Sequence, residues 1–521
     1  MFANLFAYLV DASGRRWTAA STIAACFLAN THESASGPVA GSVFKTADGA
    51  LHVPWWVRLP CTLAVTETAA REQLTEELQG PATDLAADVE PGRTSAIAAL
   101  RYRDFRLFWF GLLVSNIGTW MQMFGQGYLV VLLAVRDGVP QLAPLYLGLV
   151  GLARAIPGLT LGLFGGALAD RTDRRRLLLA TQSAAAVTAA ILATLAITDK
   201  INIVEILLLG ALNSTIFAFD APTRQSMVPR LVPERDLMSA IGLNSAAFNG
   251  PQIIGPVIGG LIFAPFAGTP TFGAGLLFYI NAISYLAVVV ALLKMRPVPV
   301  VGRSGDVTML ESIREGLAYI RQDVVVKWIV ILAATTALFA RPYIQLLPAV
   351  AHDLLKVGAV ELSWMLAASG VGSLGGALAT AMLGGLRRRG AVLIGASVAF
   401  GGFLVLFTMQ RTLLPSLPLL VLLGFSTMVF LGMANGLLQT RSPDHLRGRV
   451  MSVYTMVFMG LMPLGSMVMG SIGSVAGTDV GLLAGGAACT LVALYAGARI
   501  APLRDATGGP RRLAAHRSPT A

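Results

Sequence analysis

Residues 237–293 contain no Asp, Glu, Lys or Arg, and this uncharged stretch of 57 residues restricts the chain more than any other feature. A bilayer crossing takes about 20 apolar residues. The stretch is therefore long enough to cross twice, with a turn near GTPTFGAG (268–275). Further uncharged runs occupy 107–135, 177–198, 362–386, 390–410, 412–440, 450–478 and 480–498. In lipid, the backbone has to satisfy its own hydrogen bonds as helix or closed barrel. Runs this apolar, without polar alternation, predict helices. Charged residues make up only 13% of the chain, about half the share in a soluble domain. Adding three runs interrupted by isolated charges gives an all-α membrane protein of twelve spans. They are placed near 107–134, 145–169, 177–198, 201–219, 238–263, 272–294, 324–350, 362–385, 391–410, 413–440, 450–474 and 480–499.

Lys and Arg collect in cytoplasmic loops, and here they fall on one side. Loops after the even-numbered spans, up to span 10, hold 18 of them, while the opposite loops hold Arg136, Lys200, Lys356 and Arg411. Both termini are therefore expected in the cytoplasm. This bias accounts for most of the net charge of +11, so no nucleic-acid partner is needed. Residues 1–98 are polar and mixed, and are expected to be a disordered extension. MFANLFAYLV lacks the basic start of a signal peptide, and WTAASTIAACFLAN (17–30) is too short to cross. Cys26, Cys61 and Cys489 have no metal-ligand spacing, and neither metal nor cofactor is expected.

The chain repeats itself. GGALA occurs at 165–169 and at 375–379, Arg174–Arg176 return as Arg387–Arg389, Met238-Ser239 as Met451-Ser452, and Pro251 as Pro463. An offset near 212 residues spans six helices, so the two copies run in the same direction. The expected domains are an N-terminal bundle over 99–294, a cytoplasmic central loop over 295–323, a C-terminal bundle over 324–500 and a cytoplasmic tail over 501–521. Parallel six-helix repeats with a binding site between them suit a rocking transporter.

GALADRTDRRR (166–176) resembles the signature loop between helices 2 and 3 of the major facilitator superfamily, with Gly166, Leu168, Ala169, Asp170, Arg171, Arg174 and Arg175 matching and Asp173 in place of the usual Gly. GPQIIGPVIGG (250–260) is similar to the proline–glycine motif in helix 5 of that superfamily's antiporters. SNIGTWMQ (115–122), FDAPTRQ (219–225), ARPYIQLLPAVA (340–351) and RGRVMS (447–452) resemble the bacterial exporter branch that includes the enterobactin exporter and macrolide efflux proteins. The resemblance covers about residues 100–500.

That resemblance implies a cytoplasmic latch. Asp170 would meet the N-terminus of span 11, where unpaired N–H groups and the helix dipole favour a carboxylate, and Arg174 would bridge to Asp220. The alternative is a loop that only sets topology. In span 5, Pro251 and Pro256 free the carbonyls of Ala247 and Gln252. Gly250, Gly255, Gly259 and Gly260 allow close helix approach, either as a seal against leak or as ordinary packing. Since spans 1, 4, 7 and 10 line the cavity of the superfamily, Gln122, Gln126, Asn213 and Asn435 are candidate substrate contacts, with interhelical hydrogen bonding as the alternative.

Two arginines need no family to stand out. Arg154 and Arg341 lie deep within spans, where a charge costs about 2.5–3.5 kcal/mol. They are candidates for pairing an anionic substrate or tuning a coupled proton, and Arg154 has outward snorkelling as its alternative. Glu205 is the carboxylate expected inside a span.

The resemblance implies a secondary exporter of small amphipathic molecules such as drugs or siderophores, working by alternating access with the proton as coupling ion. It is expected as a monomer in the bacterial inner (plasma) membrane, with the lipid bilayer and a small-molecule substrate as its partners. A transporter of anionic metabolites through Arg154 and Arg341 is the alternative. A polytopic membrane enzyme is disfavoured because all five histidines fall outside the helix cores, without a catalytic cluster. No Walker loop points to ATP.

Overall fold

A computed structural model describes Tyr8–Val10, Arg16–Thr18 and residues 95–296, 309–383, 386 and 388–507, with the backbone alone at 8–10, 16–18, 163–167, 169–171, 309–313 and 383. The chain divides into two units, Met1–Glu90 and Pro91–Ala521. In the first, Tyr8–Val10 pairs antiparallel with Arg16–Thr18, Leu9 opposite Trp17. The expected disorder of 1–98 otherwise falls outside the described residues up to position 94.

Among the described residues, the second unit carries twelve helices long and apolar enough to cross a membrane. Spans 1 to 6 are Arg103–Arg136, Ala143–Arg171, Arg174–Ile197, Ile203–Met227, the pair Leu237–Asn249 and Pro251–Phe263, and Pro270–Lys294. Spans 7 to 12 are the interrupted Val324–Asp353, then Ala359–Leu383, Arg389–Thr408, Leu413–Arg441, Asp444–Ala476 and Thr478–Arg499. A 25-residue helix such as span 4 rises about 37 Å, more than the apolar thickness of a bilayer.

The packing carries the sequence repeat into three dimensions. Span 2 packs on span 4 and span 3 on span 6 in the first half; span 8 packs on span 10 and span 9 on span 12 in the second. The halves meet through span 2 on span 11 and span 5 on span 8. Adding six to each partner exchanges these two seams, as a twofold relation between the halves requires.

The core is divided in a telling way. At the end away from the arginine clusters, one apolar cluster runs through both halves, joining Phe124, Leu147 and Phe278 to Tyr343, Leu362 and Met469. At the arginine-rich end each half keeps its own: Phe105, Leu178 and Met227 in the first, Ile329, Leu437 and Val450 in the second. The apolar core is thus continuous across the two halves at the far end and divided between them at the arginine-rich end.

Two spans break where proline removes a backbone donor. Span 5 divides at Gly250, just before Pro251. Span 7 forms a π turn over Thr336–Ala340, closed by Arg341 N–H donating to Thr336 O at 2.8 Å. Pro342 follows immediately. The carbonyls of Leu338 and Phe339 then face Gly465 and Gly485, where a Cβ would overlap them.

Segments on either side of the second half pack onto it. The central loop contains a helix, Met309–Gln322, packed on span 11. Its Glu315 pairs with Arg449, and Gly316 lies against the carbonyl of Arg449, where a Cβ would stand 2.8 Å away. Asp323 then caps span 7 through Val325 N at 2.8 Å and bonds Arg441 Nε at 3.2 Å. The second half continues past residue 500: Gly390 N–H donates to Ala506 O at 3.1 Å, and Leu503 is buried. Residues 508–521 of the expected tail fall outside the described residues.

Candidate functional site

At the arginine-rich end, the loop after span 2 is built as a helix start. Asp173 accepts from Arg175 N at 2.9 Å and from Arg176 N at 3.4 Å, capping span 3. A capping carboxylate satisfies orphan N–H groups and favours the dipole, which explains why Asp stands where the motif has Gly. Arg175 closes the opposite kind of end: its Nε and Nη2 donate to Leu292 O and Leu293 O at 2.7 and 3.0 Å, on the last turn of span 6. Gly166, Asp170 and Arg171 lie on the last turns of span 2, and their side chains fall outside the description, so the expected contact of Asp170 with span 11 does too.

The expected pair of Arg174 with Asp220 is replaced by another. Asp220 is 2% exposed, and its ion pair is with Arg224, four residues on in the same helix. Thr181 Oγ1 and Gln182 Nε2 of span 3 donate to its other oxygen at 3.1 and 2.5 Å. Arg174 Nε instead donates to Ser226 Oγ at 2.9 Å. Span 4 continues to Met227, beyond the expected limit of 219, so Asp220 lies inside a helix with Arg224 on its own face. Glu205, expected inside a span, is an end group: its carboxylate accepts from Asn202 N at 3.0 Å while Asn202 caps Glu205 in return.

In span 5, Pro251 frees the carbonyl of Ala247 as its chemistry requires. Asn116 of span 1 takes it, with Nδ2 donating at 2.8 Å. Gly255 and Gly259 press on span 1, where a Cβ would lie 2.9 Å from Ile117 O and 2.9 Å from Phe124 Cδ1 respectively. Gly260 faces the other half, with a Cβ meeting Ser363 Cβ of span 8 at 2.5 Å. Pro256 is buried in the same run.

Between the halves lies a cavity lined by Gln126 and Met123 of span 1, Leu147, Val150 and Arg154 of span 2, and Gln345 of span 7. Gly210 of span 4 faces two of them: the place a Cβ would take lies 3.5 Å from Arg154 Cγ and 3.9 Å from Gln126 Nε2. Ser214 donates to the carbonyl of Arg154. Arg154 therefore turns toward span 4 and the cavity rather than outward. Among the described residues its guanidinium has no ion pair. Gln126 Nε2 and Arg341 Nη1 are buried without a partner. Arg341 lies one turn from Gln345, whose Nε2 donates across the seam to Leu147 O at 3.3 Å.

The other candidates divide. Gln122, one turn from Gln126, accepts from Asn281 Nδ2 of span 6 at 2.7 Å, both buried, and so joins helices rather than lining the cavity. Asn435 donates to Leu431 O in its own helix at 2.9 Å. Asn213 is half-buried on span 4, without a protein hydrogen bond among the described residues. Sequence reasoning passes over Asn116, Asp173 as a cap, Arg224 and Gln345. Two of these carry a local signal, since Asp220–Arg224 and Arg341–Gln345 are both spaced by four. Among the described residues, no group of His, Cys, Asp and Glu could hold a metal.

Comparison with known proteins agrees with this architecture. Residues 94–508 match the family described as "Transmembrane secretion effector". The multidrug efflux pump Tap of Mycolicibacterium fortuitum is 27% identical over 349 residues, covering 64% of this chain and 82% of that one. The staphyloferrin A transporter of Staphylococcus aureus is 32% identical over 168 residues, 32% of this chain and 41% of its own length. In structure, a bacterial homolog of the human lysosomal transporter Spinster superposes with a TM-score of 0.59 at 14% identity, covering 75% of this chain and 96% of that one. This last likeness is one of fold.

Proposed function

The chain belongs to the transmembrane secretion effector family of major facilitator transporters, and we propose that it exports small amphipathic molecules, drugs or siderophores, by alternating access. It is a multi-pass membrane transporter, not an enzyme. The outward direction is supported by the likeness to the multidrug efflux pump Tap. The observation that supports alternating access is the divided core: one apolar cluster shared by both halves at the far end, two separate ones at the arginine-rich end, and a cavity between them walled by both halves. With the arginine-rich end in the cytoplasm, as the positive-inside rule directs, this is the cytoplasm-open state of a monomer in the plasma membrane. Export follows when the seam at spans 2 and 11 opens outward and the arginine-rich ends close.

The proton is the proposed coupling ion. Asp220 is the buried carboxylate well inside a described span, seven residues or about 10 Å of rise from the end of span 4. Arg224, Thr181 and Gln182 bond its two oxygens. The test is expression in an efflux-deficient bacterium: accumulation of at least one member of a panel of amphipathic drugs and siderophores, anionic ones included, should fall, and rise again when an uncoupler collapses the proton gradient. Accumulation unchanged across a panel of amphipathic drugs and siderophores would reject the reading.

A further inference from the structure

Resting on the transporter reading, we infer that the substrate carries an anionic head group, a carboxylate or similar oxyanion, held by Arg154, Gln126 and Arg341. Among the described residues, two buried side-chain donors without a partner stand at or beside the cavity, Gln126 in its lining and Arg341 one turn from the lining Gln345. Gln126 is 3% exposed and its Nε2 has no partner, while Arg341 Nη1 is buried and equally alone. The guanidinium of Arg154 has neither an ion pair nor a hydrogen bond among the described residues. Arginine does not shed its proton to escape burial, so the site keeps two positive charges.

The three side chains share one depth. Gln126 is ten residues from the far end of span 1, Arg154 eleven from that of span 2, and Arg341 twelve from that of span 7. At 1.5 Å per residue these are rises of about 15–18 Å, one plane near the membrane centre. Gly210 ties Arg154 to Gln126, and Gln345, one turn from Arg341, lines the cavity with both. Arg341 is also held in place. The π turn ends at its N–H, and two residues on Tyr343 is buried with its hydroxyl 2.7 Å from Ser369 Oγ.

Ion pairs of the described residues lie at helix ends, at Asp220 or between Glu315 and Arg449. None places a carboxylate beside Arg154 or Arg341. Water could satisfy the hydrogen bonds but not the charge, and a cation would be repelled. An oxyanion supplies acceptors to all three groups and neutralises the site, and the apolar side chains of Met123, Val130, Leu147 and Val150 complete the lining around it.

The test titrates the purified full chain in dodecyl maltoside with decanoate, naphthalene-2-carboxylate and citrate, each against its uncharged amide, following tryptophan fluorescence. At least one acid should bind about tenfold or more tighter than its amide, the loss expected for one charge-assisted hydrogen bond. Arg154→Gln and Arg341→Gln should each erase that preference, and the Lys variants should restore part of it. The Gln variants should melt no lower than the wild type without ligand, because they remove an uncompensated charge; the acids should raise the melting temperature of the wild type alone. Equal binding of acid and amide, or binding of neither across the panel, overturns the inference even if the chain exports dyes. Displacement of the acids by added phosphatidylglycerol would assign the site to a lipid head group and overturn it too. Acid binding without any uphill transport would leave the site standing and reject the exporter reading instead.

Discussion

Asn116 of span 1 donates its side-chain amide to the carbonyl of Ala247 in span 5 at 2.8 Å, and that carbonyl is free because Pro251 stands four residues later. A helix break and its repair thus come from different segments. The bond holds span 1 to span 5 beside the glycines that pack there, Gly255 and Gly259.

Removing the repair should therefore destabilise the first half, and restoring the missing donor should rescue it. Asn116→Ala leaves a buried acceptor unmet, a loss of about 1–3 kcal/mol. Pro251→Ala returns an N–H that can close on Ala247 O. The double variant should be more stable than the sum of the singles, with a coupling of about 0.5–3 kcal/mol. Thermal unfolding in detergent reads this, and strict additivity would deny Asn116 its compensating role.

The far-end seam should respond to single methyl groups. A Cβ at Gly148 would stand 2.6 Å from Ser466 O, on a backbone that cannot swing aside; Gly470 meets Pro144 O in the same way. Overpacking costs about 1–3 kcal/mol, enough to shift a two-state balance about 5- to 150-fold. Gly148→Ala and Gly470→Ala should favour the outward-open state. A cysteine placed at Val150 should then react faster with an impermeant maleimide from outside. Gly242→Ala, where nothing lies within 4 Å, is the control. Labelling unchanged by Gly148→Ala and Gly470→Ala would mean that the seam is not the gate.

Truncation should be tolerated up to a definite point. Ser239 Oγ donates to Ala96 O at 2.8 Å and accepts from Ala99 N at 3.1 Å, and Tyr102 OH donates to Asp236 at 2.7 Å. A chain starting at Thr94 keeps all three bonds and should insert and transport as the full chain does. One starting at Arg103 loses them and should melt lower. Loss of insertion by the first would show that residues 1–93 contribute to the fold.

The twelve spans are legible in the sequence because the bilayer imposes length and apolarity on each helix separately, whatever its neighbours. The repeat is legible for a similar reason: six-helix units leave a constant offset near 212, which returns in space as matching helix pairs. Partners are harder to read. Gln122 and Gln126 belong to one stripe, yet Asn281 of span 6 claims the first and the cavity the second. The π turn before Arg341 depends on room left by Gly465 and Gly485, more than 120 residues away, and no local pattern announces it. A span 4 that stops at residue 219 leaves Asp220 to Arg174 and hides its i, i+4 relation with Arg224, which only the longer helix makes visible.

That reassignment yields the sharpest test at the arginine-rich end. Arg224 and Asp220 are both largely buried, at 11% and 3% side-chain exposure, and breaking such a pair by removing one partner costs about 3–5 kcal/mol. Asp220→Asn and Arg224→Gln should each lower the melting temperature and reduce transport. Because the two groups touch, their double variant should be less impaired than additivity predicts, by about 0.5–3 kcal/mol. Arg174 holds Ser226 instead, so Arg174→Ala combined with Asp220→Asn should be close to additive. If Asp220 also carries the coupled proton, Asp220→Asn should abolish the response of transport to a pH gradient while leaving downhill exchange of substrate intact. Arg174→Ala should lower the rate yet keep that response. A full pH response in Asp220→Asn would remove this carboxylate from the coupling path, and strong coupling of Arg174 to Asp220 would restore the pairing that the structure replaces.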